Sequence, residues 1–245
     1  MRKIITSVIV FSALASPVFA NIGDESLGSG GFTPVTAFIL DTEDPMFFEA
    51  ARDFVSRSAI YVGNERFQAQ QRFSYGINGN MAISADVNYQ ASYHTDNTGF
   101  SGIGLTGWYR AQDTATKIDI FAGLNFTGAA SVPNYSDTVY AAGVRVGRQW
   151  NWVTLATVAQ TSWIFDEVNG MAFIDIIPEA YFRIGWDWSL GANAILRKST
   201  NPNFDQQWLG AKVAKRYGRT MYVGSFDYEF ETEEWRIGAR LNLLF

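Results

Sequence analysis

Residues Met81-Ala82-Ile83-Ser84-Ala85-Asp86-Val87-Asn88-Tyr89-Gln90-Ala91-Ser92-Tyr93 decide the fold. Met81, Ile83, Ala85, Val87, Tyr89, Ala91 and Tyr93 interleave with Ser84, Asp86, Asn88, Gln90 and Ser92. Successive side chains of an extended chain point to opposite faces, so this is a strand with one apolar and one polar face. The stretch is also about twice the length usual for a strand of a soluble protein. A long alternating strand suits a tilted crossing of a bilayer.

The same pattern recurs toward the C-terminus. Ile118, Ile120, Ala122, Leu124 and Phe126 oppose Lys117, Asp119, Gly123 and Asn125. Ala172, Ile174, Ile176, Ala180, Phe182 and Ile184 oppose Asp175, Glu179 and Arg183. Trp235, Ile237, Ala239, Leu241, Leu243 and Phe245 oppose Arg236, Gly238, Arg240 and Asn242. Either the charged face is the outside of a soluble sandwich, or it lines the interior of a membrane barrel whose apolar face meets lipid. Two features favour the barrel. Glycines such as Gly143, Gly147, Gly191 and Gly238 sit among charged neighbours, as a crowded interior needs. Tryptophans gather near segment ends, at Trp150, Trp152, Trp163, Trp186, Trp188, Trp208 and Trp235, where interfacial girdles lie.

The fold class expected is therefore all-β: a transmembrane antiparallel up-and-down β-barrel of about twelve strands. The strands are read at 54–63, 65–77, 81–93, 102–112, 117–127, 139–149, 152–164, 171–184, 188–198, 207–216, 220–230 and 234–245. The weakest are the first and the one holding Pro178, which removes a ladder donor where a closed barrel has no edge to spare. Ten or fourteen strands are the alternatives. Short turns at 77–80, 113–116, 150–151, 185–187 and 217–219 alternate with longer connections, as periplasmic turns alternate with extracellular loops.

Composition agrees. Of 245 residues, 47% are hydrophobic and 18% charged, too polar for a bundle of membrane helices, and 16% are aromatic, too many for a disordered chain. With 19 basic against 24 acidic residues the chain lacks the basic footprint of a nucleic-acid binder. The absence of cysteine and a single histidine exclude disulfides, thiolate zinc sites and cysteine nucleophiles. No metal or cofactor is expected.

Residues 1–20 read as a secretory signal peptide: Arg2 and Lys3, an apolar run from Ile4 to Leu14, then small residues to Ala20. The apolar run is too short to span a membrane. Residues 21–53 read as a periplasmic N-terminal segment, Gly- and Ser-rich at first, with Asp44 and Pro45 able to start a helical turn. A partial plug of the barrel is the competing reading. The barrel itself is assigned to residues 54–245.

The last segment, Arg236-Ile237-Gly238-Ala239-Arg240-Leu241-Asn242-Leu243-Leu244-Phe245, resembles the C-terminal signal of Gram-negative outer-membrane β-barrels. Leu243 stands where that signal commonly has an aromatic. The resemblance implies a bacterial outer-membrane location, with outer-membrane lipids and lipopolysaccharide around the barrel. It also implies recognition of Leu241, Leu243 and Phe245 by the barrel-assembly machinery. Residues 74–83, Ser-Tyr-Gly-Ile-Asn-Gly-Asn-Met-Ala-Ile, more weakly resemble a hairpin of small channel-like barrels assigned to uptake of organic compounds.

Catalytic chemistry finds little support. His94-Thr95-Asp96-Asn97 superficially resembles the histidine region of outer-membrane phospholipases but has Asp96 where their nucleophilic serine falls. Asp175 and Glu179 share a face with Arg183, which is expected to neutralise them. Gly102-Ile103-Gly104 lacks the helix that a phosphate cradle requires. The function expected is a passive channel or uptake pore for small solutes. The rivals are a sealed structural or interaction barrel and, least favoured, a lipid-modifying enzyme. Ten inward basic residues against six acidic ones, read by parity, point to an anionic solute, with Arg145, Arg183 and Arg240 as the selective ring. A charge placed at lipid-facing Val87 should be costly, and the same change at Asn88 or Asn125 mild.

Overall fold

The structure is a computed structural model and describes residues 54–93, 98–127, 138–164, 171–185, 187–200, 202 and 205–245. Its strands are β1 (Phe54–Gly63), β2 (Arg66–Asn78), β3 (Met81–Ser92), β4 (Thr98–Asp113), β5 (Thr116–Thr127) and β6 (Val139–Gln149). They continue as β7 (Val153–Ile164), β8 (Met171–Gly185), β9 (Trp188–Ser199), β10 (Gln206–Tyr217), β11 (Thr220–Glu229) and β12 (Trp235–Leu244). Each pairs antiparallel with its sequence neighbours, and β1 pairs with β12 to close the barrel. The strand number and nearly every boundary follow the periodicity. The largest departure is β4, which begins four residues earlier than expected. A bulge on β4 at Ser101, opposite Asn88 and Tyr89, continues its pairing beyond Gly102, and Gly99, at φ 142°, supplies a backbone conformation that a side chain would strain. The expected signal peptide, the 21–53 segment and His94 lie outside the described residues.

Pro178 is accommodated in the closed sheet. It faces Thr157 on β7. On the β9 side, pairing lapses at Ile177 and Pro178 and resumes in the same register at Glu179 opposite Asn193. The missing proline N–H thus falls in a local gap in the ladder, and the strand needs no edge.

Cross-strand partners share a face, so the register carries the sidedness of β3 around the barrel. Ile83, Ile120, Ile174, Leu209 and Ile237 point outward and are at least half exposed, the surface that lipid covers. Trp150, Trp152 and Trp188 stand exposed at the short-turn end and Trp235 at the other. Trp208 corrects the expected girdle. It is 4% exposed and points inward, opposite Ile195 and Glu229. Its position near a strand end suited an interface, but its parity, shared with Gly210 and Lys212, turns it into the lumen. Trp186 lies outside the described residues.

The outward face of β1 and β2 explains why the first strand lacked a clean period. Ser56, Ser58 and Gln71 all point outward, opposite Leu243, Leu241 and Ser58 respectively. They satisfy one another: Ser58 Oγ donates to Gln71 Oε1 at 2.5 Å, and Gln71 Nε2 donates to Ser56 Oγ at 3.0 Å. Pairing among themselves lowers the cost of polar atoms at membrane depth.

Candidate functional site: the lumen

The lumen is built from the polar parity of all twelve strands. Its charged residues meet mainly as direct cross-strand partners. Asp119 lies between Arg110 on β4 and Arg145 on β6, accepting from Arg110 Nε at 2.7 Å and from Arg145 Nη2 at 2.5 Å. Asp175 faces Arg197 and accepts from its Nε at 2.7 Å. Asp227 faces Arg236 and accepts from its Nε at 3.0 Å. Lys212 instead reaches across one strand. Gly191, its partner on β9, has no side chain, and the ring of Tyr181 occupies the space a Cβ would need. Lys212 Nζ therefore reaches Glu179 Oε1 at 3.2 Å and Tyr181 Oη at 3.2 Å. Such buried pairs are costly to form and costlier to break.

Beside this network lies an apolar cluster inside the barrel: Ala82, Trp108, Phe121, Ala141, Val158, Ile177, Ile195 and Trp208. Val158 and Ile177 have no exposure at all. Strands β3 to β10 thus carry a packed core on the inner wall, as in small filled barrels. Arginines lie on its edges. The Arg72 and Arg145 guanidiniums stand 5.4 and 5.0 Å from the Trp108 ring centre, and that of Arg236 stands 4.5 Å from Trp208 and 5.3 Å from Tyr61.

Open space lies against the opposite wall. Away from the strand ends, the inward side chains that keep partial exposure are Tyr61, Gln68, Ser225, Arg236 and Arg240, all on β11, β12, β1 and β2. A small cavity of about 10 Å³, room for about one water molecule, is lined here by Tyr61, Lys212, Val223, Ser225, Asp227 and Arg240. Asp227 Oδ1 is buried at this cavity without a hydrogen-bond partner among the described residues. Arg57 and Arg72 continue the basic wall. They face each other across β1 and β2, with Asn242 beyond Arg57 and Asp86 beyond Arg72.

The inward basic residues are Arg57, Arg66, Arg72, Arg110, Lys117, Arg145, Arg183, Arg197, Lys212, Arg216, Arg236 and Arg240. The acidic ones are Asp86, Asp119, Asp175, Glu179, Asp227, Glu229 and Glu234. Asp113, the cross-strand partner of Lys117, joins the acidic set, so the count is twelve against eight, a basic surplus of four. Register adds Arg57 and Arg216 to the ten basic residues counted from the sequence, and Asp113 and Glu234 to the six acidic ones. Glu234 is buried and accepts from Arg66 Nε at 3.1 Å.

The three arginines expected as a ring occupy different places. Arg145 is buried against Asp119 and Trp108. Arg183 is exposed at the short-turn mouth. Arg240 lines the cavity. Arg183 does not neutralise Asp175 and Glu179, because Arg197 on β9 and Lys212 on β10 do so. At the chain end, Leu241 and Leu243 face outward, and Phe245 N–H donates to the Phe54 carbonyl at 2.9 Å with the two rings 5.9 Å apart.

No family model matches this chain, and no curated protein sequence matches it. Solved structures do. The KdgM porin superposes with a TM-score of 0.61 at 10% identity, over 78% of this chain and 99% of that one. The NanC porin gives 0.60 at 10% identity, over 78% and 98%. An outer membrane channel from Pseudomonas putida F1 gives 0.57 at 7% identity, over 80% and 96%. At these identities the likeness is one of fold: a closed twelve-strand antiparallel barrel of the outer-membrane kind.

Proposed function

We propose that this barrel is a passive uptake pore for small solutes and favours anions, the route running along β11, β12, β1 and β2. The observation that carries this reading is the one-sided opening of the lumen, whose partly exposed inward side chains away from the strand ends all lie on β11, β12, β1 and β2. The packed core occupies the β3–β10 side, so a solute is confined to the wall that bears Arg236 and Arg240, with Arg57 and Arg72 buried beside it. Fixed charge beside a narrow, low-dielectric passage weighs more on permeation than charge at a salt-screened rim. The reading is non-enzymatic. The fold likeness to porins supports it, and KdgM has also been solved in complex with oligogalacturonate, described as disordered.

The dense ion pairing and apolar packing favour a second reading, a barrel sealed at rest. Single-channel recording of the purified protein in planar bilayers separates the two. Discrete conductance steps with an anion-selective reversal potential in a salt gradient are expected. Cation selectivity would reject the anion preference, and complete silence would favour the sealed barrel.

A further inference from the structure

The outward belt at the short-turn end differs from a plain aromatic girdle. Short turns mark this end as periplasmic. Two cations point outward here, by register. Arg148 follows Val146 in phase and faces Leu155. Lys215 faces Trp188 on one side and Tyr222 on the other. Each is seated on an indole: the Arg148 guanidinium lies 5.1 Å from the Trp150 ring centre, and Lys215 Nζ lies 4.8 Å from that of Trp188. Both rings are exposed. Arg219 adds a third cation in the turn after Lys215. The carboxylates of the described short turns are Asp113 and Asp187, and Asp113 is engaged by Lys117 at 2.6 Å.

A cation held on an interfacial tryptophan, with its charge at headgroup depth and its stem along the apolar wall, is a receptor for a lipid phosphate. We propose that Arg148 with Trp150, and Lys215 with Trp188 and Arg219, form two sites for anionic glycerophospholipid headgroups of the periplasmic leaflet. Indole and cation divide the work. The ring fixes the depth of the site at the glycerol level, and the ammonium or guanidinium takes the phosphate. The sites lie outside the lumen and do not depend on whether the barrel conducts.

Native mass spectrometry of the full barrel, released from micelles doped with equal phosphatidylglycerol and phosphatidylcholine, tests this. The wild type should retain phosphatidylglycerol in preference. Each of Arg148→Gln and Lys215→Gln should reduce that preference by about fivefold, the worth of one cation near a charged headgroup. Arg148→Lys and Lys215→Arg should keep it. A heat-modifiable band on gels confirms that each variant is folded before it is scored. Equal retention of the two lipids by the wild type, or an unchanged preference in the Arg148→Gln, Lys215→Gln double variant, would overturn the proposal. Lipid A retained as well as phosphatidylglycerol, with the same residue dependence, would overturn the assignment to the periplasmic leaflet.

Discussion

Arg57 and Arg72 stand directly opposite each other on β1 and β2, both facing the lumen. Like charges in register oppose sheet pairing, and Asp86 opposite Arg72 offsets that cost. A pair that concentrates positive charge beside the open wall suits a conduit for anions. Arg57→Gln should stabilise the β1–β2 pair slightly and lower anion selectivity. Arg240→Gln, at the cavity itself, should lower it more. Reversal potentials of the two variants in the same salt gradient measure both effects, and an unchanged potential in Arg240→Gln would remove that residue from the route.

Asp119 is shared by two arginines in a dry part of the lumen. Asp119→Ala leaves two buried guanidiniums without their common carboxylate and should destabilise the barrel by about 3–5 kcal/mol. Denaturant unfolding followed by loss of the heat-modifiable band reports it. A cost under about 1 kcal/mol would mean that water reaches these arginines.

Val87 faces lipid, so Val87→Arg should cost about 2–4 kcal/mol near the bilayer midplane. The mild outcome expected from the sequence at Asn88 and Asn125 does not survive the structure. Both are nearly fully buried, and Asn125 fills the space beside Gly102. Asn125→Arg should cost at least as much as Val87→Arg, through overpacking rather than desolvation. Parallel folding titrations of the two variants into vesicles check the order.

In the connection between β9 and β10, Lys198 Nζ donates to Asp205 Oδ2 at 2.6 Å and the Ser199 N–H donates to Asp205 Oδ1 at 2.8 Å. The hydrogen bond from Lys198, then that from Ser199, holds the Asp205 carboxyl below its ordinary range. A carboxylate with a depressed folded pKa contributes above its unfolded value and loses that contribution as pH falls through the folded one. The clasp should therefore persist at mildly acidic pH and open only at stronger acidity. Asp205→Asn should abolish the transition. Amide exchange at Ser199, followed against pH, reads it directly.

If the C-terminal resemblance extends to assembly, deletion of Phe245 should leave the chain as periplasmic aggregate. Undiminished folded protein in the outer membrane would show that the preceding alternation suffices.

What could be read from the chain alone was set by amplitude along single strands. β3 and β5 alternate strongly and were placed almost to the residue. β1 was not legible in its faces, because Ser56 and Ser58 put polar atoms on the lipid side while Arg57 lies inward, which flattens the period. The lumenal partners were less legible still. Whether Asp175 meets Arg183 on its own strand or Arg197 on the next depends on register between strands, and a period of two carries no information about it. Parity also outranked position for Trp208, whose place near a strand end suggested an interface.

The pairing of β1 with β12 has a kinetic consequence. Its residue pairs join the two ends of the barrel sequence, from Val55 with Leu244 to Gly63 with Arg236. Until the final residues are in place, the chain is an open sheet with two unsatisfied edges and one apolar face. Loop-closure entropy grows only logarithmically, so the slow part is the search for register between the most distant segments. A chain lacking its last strand would not form a smaller barrel. It would remain a sticky ribbon, and the cell must shield that seam throughout synthesis and export, because no intermediate of this topology can shield it for itself.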